Sequence, residues 1–203
     1  MNIRVITVSR EFGSGGRTIA RMIANSLGIN YYDGELVTKI AKESGLAEEF
    51  IQESGEYACT TNEFFFNISN CKDSSSPSLS DQLFVIQNNI ISDLAQRESC
   101  VIVGRCADFI LKERKDCLHT FFHADMAFRA KRITQLYGET KHSPFQRLEE
   151  KDKKRSVYYK YYTGKQWGLA QNYHISLNTG VVGINQCAEF VVNIVKNAHN
   201  IIL

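Results

Sequence analysis

Between a short β-branched run and the first amphipathic stretch stands Ser9-Arg10-Glu11-Phe12-Gly13-Ser14-Gly15-Gly16-Arg17-Thr18. Its glycines are placed for one kind of chemistry. A glycine-rich turn from strand to helix binds phosphate because its backbone N–H groups converge on the anion, the helix N-terminus adds positive potential, and the absent side chains let the backbone approach. Gly13, Ser14, Gly15 and Gly16 form that cradle, with Arg17 as the cation for the phosphates and Thr18 as a candidate Mg²⁺ ligand. The usual pattern, Gly-x-x-x-x-Gly-Lys-Ser/Thr, is only partly met. In the register ending Gly16-Arg17-Thr18, Glu11 stands for the first glycine and Arg17 for the lysine; slipped by one, Gly16 takes the lysine's place and Arg17 follows it. Neither register supplies the lysine. The alternative is a tight turn with an exposed arginine.

Further charged residues could join a phosphate site. Arg105 follows the four-residue apolar run Cys100 to Val103 and Gly104, at a strand end, where open parallel sheets place ligands. A planar guanidinium can hold two phosphate oxygens at once. Arg129 and Arg132 lie three apart on one helix face, and Lys151 and Arg155 lie four apart in Glu149-Glu150-Lys151-Asp152-Lys153-Lys154-Arg155. A solvated helix face is the competing reading for both. Asp33, after Tyr31 and Tyr32, could accept a hydrogen bond from a nucleoside or cap the helix that begins at Gly34. Tyr158 to Gly168 interleaves aromatics with cations, as a groove for single-stranded nucleic acid does.

These residues need a scaffold. Ile3 to Val8 reads as a strand, and Ile19, Ile23 and Leu27, with Ala20 and Ala24 beside them, mark a helix stopped by Gly28. Ile29 to Tyr32 is a second strand, and Leu36, Val37, Ile40 and Ala41 a second helix closing at Gly45. From Gly45 to Ser80 the pattern loosens around Phe64-Phe65-Phe66, which reads as an inserted lobe. A helix bearing Leu83, Ile86, Ile90, Ile91 and Leu94 follows. Strands over 100–103, 118–123 and 174–178 alternate with helices over 126–137, from Ser143-Pro144 toward Gly164, and over 184–198. Such alternation predicts an α/β fold with a parallel sheet.

The 203 residues carry 24 Lys plus Arg against 22 Asp plus Glu, a formal charge of +2. That balance argues against a nucleic-acid coat. Length and a 43% hydrophobic content suit one domain with an extra lobe. The six cysteines include no Cys-x-x-Cys pair and read as reduced thiols of a cytoplasmic protein. His119 and His123 sit four apart, but in an apolar run that reads as a strand, which argues against a metal pair. No stretch approaches the roughly 20 apolar residues of a membrane span.

Ser9 to Arg17, followed by Leu27-Gly28-Ile29-Asn30-Tyr31-Tyr32-Asp33, resembles the cytidylate kinase-like family, a branch of the P-loop nucleoside monophosphate kinases whose members often carry this lysine-free loop. The resemblance extends over nearly the whole chain. It implies a single P-loop NTPase domain over 1–203: a five-stranded parallel sheet flanked by helices, an inserted monophosphate-binding lobe over 45–80 and a lid over 140–168. It further implies ATP and Mg²⁺ as cofactors and CMP or dCMP as acceptor. Asp33 and Arg105 would bind that acceptor, and Arg129, Arg132 and Arg155 would stabilise the transition state with Arg17. Cys106 replaces an aspartate common in cytidylate kinases proper. The missing lysine leaves a second expectation, a P-loop protein that binds nucleotide with little or no turnover and acts through a partner or nucleic acid.

Overall fold

The computed structural model describes residues 2–34 and 79–198. The expected lobe over 45–80, the helix over 36–45 and the Phe64 to Phe66 cluster lie outside the described residues, save the first turn of the helix that starts at Leu79. Five strands, β1 (Val5–Arg10), β2 (Asn30–Tyr32), β3 (Cys100–Val103), β4 (Cys117–His123) and β5 (Ile175–Asn178), form one sheet in the order β2-β3-β1-β4-β5. Every pairing is parallel. The expected α/β class and five-stranded sheet are therefore present.

Strand alternation explains the two layers that cover the sheet. Ile6 and Val8 with Val101, Val103, Leu118 and Phe122 face α1 (Gly16–Leu27) and the closing helix. Val5, Cys100, Ile102 and Cys117 face the opposite way, against Ile91 and Ala95 of α2 (Leu79–Arg97) and Ala107 and Leu111 around α3 (Ala107–Ile110). A third packing site joins α4 (Met126–Tyr137) to α5 (Pro144–Thr163) through Ala130, Ile133 and Leu148. The start of α5 follows from its sequence. Pro144 stands in the first turn, and Ser143 and Gln146 exchange side-chain and backbone hydrogen bonds as a capping box. The short α6 (Thr179–Val182) and α7 (Ile184–Asn197) complete the chain's described part.

Two boundaries differ from expectation in a way that matters for the site. β1 continues through Ser9 and Arg10, which pair in register with Phe121 and Phe122, so Arg10 belongs to the sheet rather than to the loop. The buried backbone of β4 offers partners for two more residues, and pairing overrides the polar side chains. Likewise α1 begins at Gly16, so Gly16 and Arg17 of the glycine-rich turn belong to the helix. Cys100, Cys106, Cys117 and Cys187 are buried free thiols. His119 is buried on β4, with its ring 4.7 Å from that of His174 and its Nδ1 2.9 Å from Thr7 Oγ1. Among the described residues no group of three His, Cys, Asp or Glu could hold a metal, and no helix is long and apolar enough to cross a membrane.

Candidate active site

The loop after β1 is held from both sides. Ser14 is buried, its hydroxyl donating to Glu11 O at 2.9 Å while Thr179 Oγ1 donates to Ser14 O at 2.6 Å. Gly15, the residue before α1, has φ 88°, which a side chain would resist. This left-handed glycine at the helix entrance fits the slipped register. In that register Gly15 is the motif's second glycine, Gly16 stands in the lysine's place as the first helical residue, and counting back five residues puts Arg10 where the first glycine belongs. Arg17 then occupies the position of the metal-binding hydroxyl. A Cβ on Gly16 would lie 2.5 Å from Cβ and 3.0 Å from Cγ of Arg10.

At the carboxyl ends of β1, β2 and β3 the structure gathers four arginines: Arg10, Arg17, Arg105 and Arg155. Arg17 is tied to Asp33, with Nη2 at 2.9 Å and Nε at 3.1 Å from Oδ2, and Tyr31 donates to the same oxygen at 3.2 Å. Arg105 follows Gly104 in left-handed backbone, φ 59°, and Cys106 continues it at 55°. Side chains avoid this region, and such local strain persists where surrounding structure imposes it. The result turns Arg105 toward Gly34, whose carbonyl lies 3.5 Å from Nη2. Arg155 reaches in from α5 and donates from Nη1 to Arg10 O at 3.0 Å. Burial, followed by repulsion from Arg155 and Arg17, lowers the Arg10 pKa to about 9. Burial also lowers that of Arg155, against the pull of Asp152.

The remaining expected site residues are placed differently. Arg129 is only 5% exposed. It binds Asp152 Oδ2 at 2.5 Å, Glu11 Oε2 at 3.3 Å, Ala124 O at 2.8 Å and Phe12 O at 3.2 Å. A guanidinium so fully engaged braces the loop. Arg132 donates from Nη2 to Thr18 Oγ1 at 3.0 Å, facing an open cavity of about 550 Å³ lined by Phe128, Arg132, Thr179, Val181 and Ile184. The cavity adjoins the loop, since a Cβ on Gly15 would lie 2.8 Å from Ile184 Cδ1. Among the described residues the donor set does not fit a protein-held Mg²⁺ ion. The Thr18 hydroxyl accepts from a cation, and Arg17 fills the place of the metal-binding hydroxyl.

A profile of the cytidylate kinase-like family matches residues 5–181. The chain belongs to that family. A search of curated proteins found no match. Among solved structures, an uncharacterized protein from Eubacterium ventriosum is similar at 25% identity with a TM-score of 0.73, covering 95% of this chain and 98% of that one. A shikimate kinase from Acinetobacter baumannii in complex with shikimate is similar at 14% identity and TM-score 0.53, covering 97% and 94%. A gluconokinase from Sinorhizobium meliloti is similar at 14% identity and TM-score 0.53, covering 98% of each chain. The latter two share the P-loop kinase fold. Family and fold support a kinase-type enzyme that carries out nucleotide-dependent phosphoryl transfer.

Two residues of this cytidylate kinase-like chain were not singled out from sequence. Arg10 sits in the signature but at a position where the motif calls for glycine, so only the slipped register could have flagged it. Asp108, two residues after Cys106, is buried; Tyr159 donates to its Oδ2 at 2.6 Å and Ser9 to its Oδ1 at 3.3 Å. Burial raises the Asp108 pKa. Its two bonds join α5 to the end of β1, and Tyr159 lies one turn beyond Arg155. The network holds the helix that brings Arg155 to the loop.

Proposed function

We propose that the protein transfers the γ-phosphoryl group of ATP to a nucleoside monophosphate, CMP or dCMP. The observation that carries this reading is the convergence of Arg10, Arg17, Arg105 and Arg155 on the end of a helix-entrance phosphate loop. Phosphoryl transfer is catalysed chiefly by positioning and by neutralising charge on the moving group. In the reaction the bond from Pγ to the donor's bridging oxygen breaks and its electron pair stays on the departing diphosphate. The new bond forms from a phosphate oxygen of the acceptor, which has no proton to lose when dianionic.

The backbone from Gly13 to Thr18 cradles the donor phosphates. The donor's base enters the cavity beside Ile184, between Phe128 and Arg132, whose size suits a nucleoside. Arg105, and Arg17 oriented by Asp33, hold the acceptor phosphate on the β2–β3 side. Arg155 closes from α5 as part of a lid over 140–168, excluding water from the transfer. A coupled assay with ATP and CMP, dCMP, UMP or AMP tests the reading. Turnover with CMP or dCMP above the others is the expected result. Triphosphate binding without turnover on any acceptor would replace it with the second reading, a nucleotide-binding protein, which the glycine in the lysine's place favours.

A further inference from the structure

The standard phosphate loop has a side-chain-free residue at its first position and a long cation on the first residue of the helix. This chain has the two exchanged. Arg10 stands at the first position and Gly16 at the second, and the Arg10 stem passes where a side chain on residue 16 would begin. The far end of the same side chain lies against Gly104 on the neighbouring strand's exit. A Cβ there would collide with Nη1 and lie 3.4 Å from Cζ. The guanidinium is thus threaded between two glycines, from the loop toward Arg105.

We infer that Arg10 supplies, from the end of β1, the cation that the lysine supplies in the standard loop, that Gly16 is the space its stem requires, and that its N–H groups hold the phosphate passing from donor to acceptor. The last step rests on the phosphoryl-transfer reading; the anion contact does not. Three observations carry it. Arg17, the neighbouring candidate, is turned toward β2 by Asp33 and Tyr31. Among the described residues the Arg10 guanidinium has no carboxylate and no hydrogen-bond acceptor. Its charged neighbours are instead Arg17, Arg105 and Arg155, with the Tyr31 phenol beside them acting in the opposite sense. A partly buried cation ringed by cations is an unfavourable arrangement that a polyanion relieves. Its lowered pKa has the same origin. In the transfer Arg10 donates hydrogen bonds to the phosphate and takes no part in proton transfer.

The test uses the full chain, with inorganic tripolyphosphate and ATP as probes and thermal unfolding, calorimetric binding and the coupled assay as readouts. Arg10→Met keeps the stem but not the charge. Without ligand it is expected to melt at or above the wild-type temperature, yet to bind tripolyphosphate about 10- to 100-fold more weakly. Arg10→Lys is expected to stay within about tenfold of wild type. The exchange variant, Arg10→Gly with Gly16→Lys, is expected to recover binding. Tripolyphosphate binding by Arg10→Met equal to wild type would overturn the inference, as would an exchange variant that folds and binds no better than Arg10→Met. Arg10-dependent binding in a wild-type protein that turns over no acceptor would sink the transfer reading while leaving the anion contact standing.

Discussion

Two arginine clusters lie within one loop's reach of each other and are built on opposite rules. Around Arg129, two carboxylates and two carbonyls take up one buried guanidinium, and the bonds run from α4 to the loop, to the residue after β4 and to α5. Around Arg10, the cations outnumber their acceptors. Asp33 serves Arg17, Asp152 is shared by Arg155 and Arg129, and neither Arg10 nor Arg105 has a carboxylate among the described residues. The first cluster spends its charge on fixing the backbone. The second leaves charge uncompensated where the loop, β3 and α5 meet, so its favourable energy is realised only when an anion arrives. Arginine count alone therefore says little; the location of the carboxylates separates a brace from a binding site.

The largest expected effect comes from breaking the paired cluster. Asp152→Ala leaves Arg129 buried without its closest carboxylate and should cost about 3–5 kcal/mol of stability, measured by denaturant unfolding, with the loop loosened as well. Removing a cation from the open cluster should act in the opposite sense. Arg105→Ala is expected to lower kcat/KM for the nucleoside monophosphate by about 100-fold, about 2.7 kcal/mol, with unfolding unchanged or shifted upward. If Arg105→Ala destabilised as Asp152→Ala does, the contrast between the clusters would be wrong.

A third prediction separates the clusters by pH. The folded-state pKa of Arg10, about 9, lies below its ordinary 12.5. Between those values the unfolded chain binds more protons, so the penalty of charging Arg10 is full below pH 9 and is relieved as pH rises above it. Wild type should gain stability relative to Arg10→Met from pH 9 upward, by on the order of 1 kcal/mol after solvent screening. Arg17→Ala is the smallest. Its partly exposed pair with Asp33 is worth at most about 1 kcal/mol, so KM for the acceptor should rise severalfold, with tripolyphosphate affinity unchanged. A loss of tripolyphosphate affinity would return to Arg17 the part assigned to Arg10.

The scaffold was legible because its signals are local. Ile19, Ile23 and Leu27 announce α1, Ser143-Pro144 announces α5, and Cys100 to Val103 reads as a buried strand ending at the glycine before Arg105. The site was legible only in part. Sequence spacing put Arg129 and Arg132 on one face, but not which of them would meet Asp152 and Glu11 across the chain. It could not extend β1 to Arg10, because that pairing depends on β4, more than a hundred residues away. Nor could it choose a loop register, which turns on the backbone angle of Gly15. What was missed is long-range in each case.

The contact between Gly16 and the stem of Arg10 also constrains how such a loop can change over generations. A lysine introduced at 16 meets Arg10, while a glycine introduced at 10 leaves no cation at the phosphate. Each single step is expected to lose function, although the two together restore the motif's glycine and lysine. Lysine-bearing and lysine-free loops of this kind are then separated by a fitness valley, and a lineage that has crossed it is held there by reciprocal epistasis between two positions six residues apart.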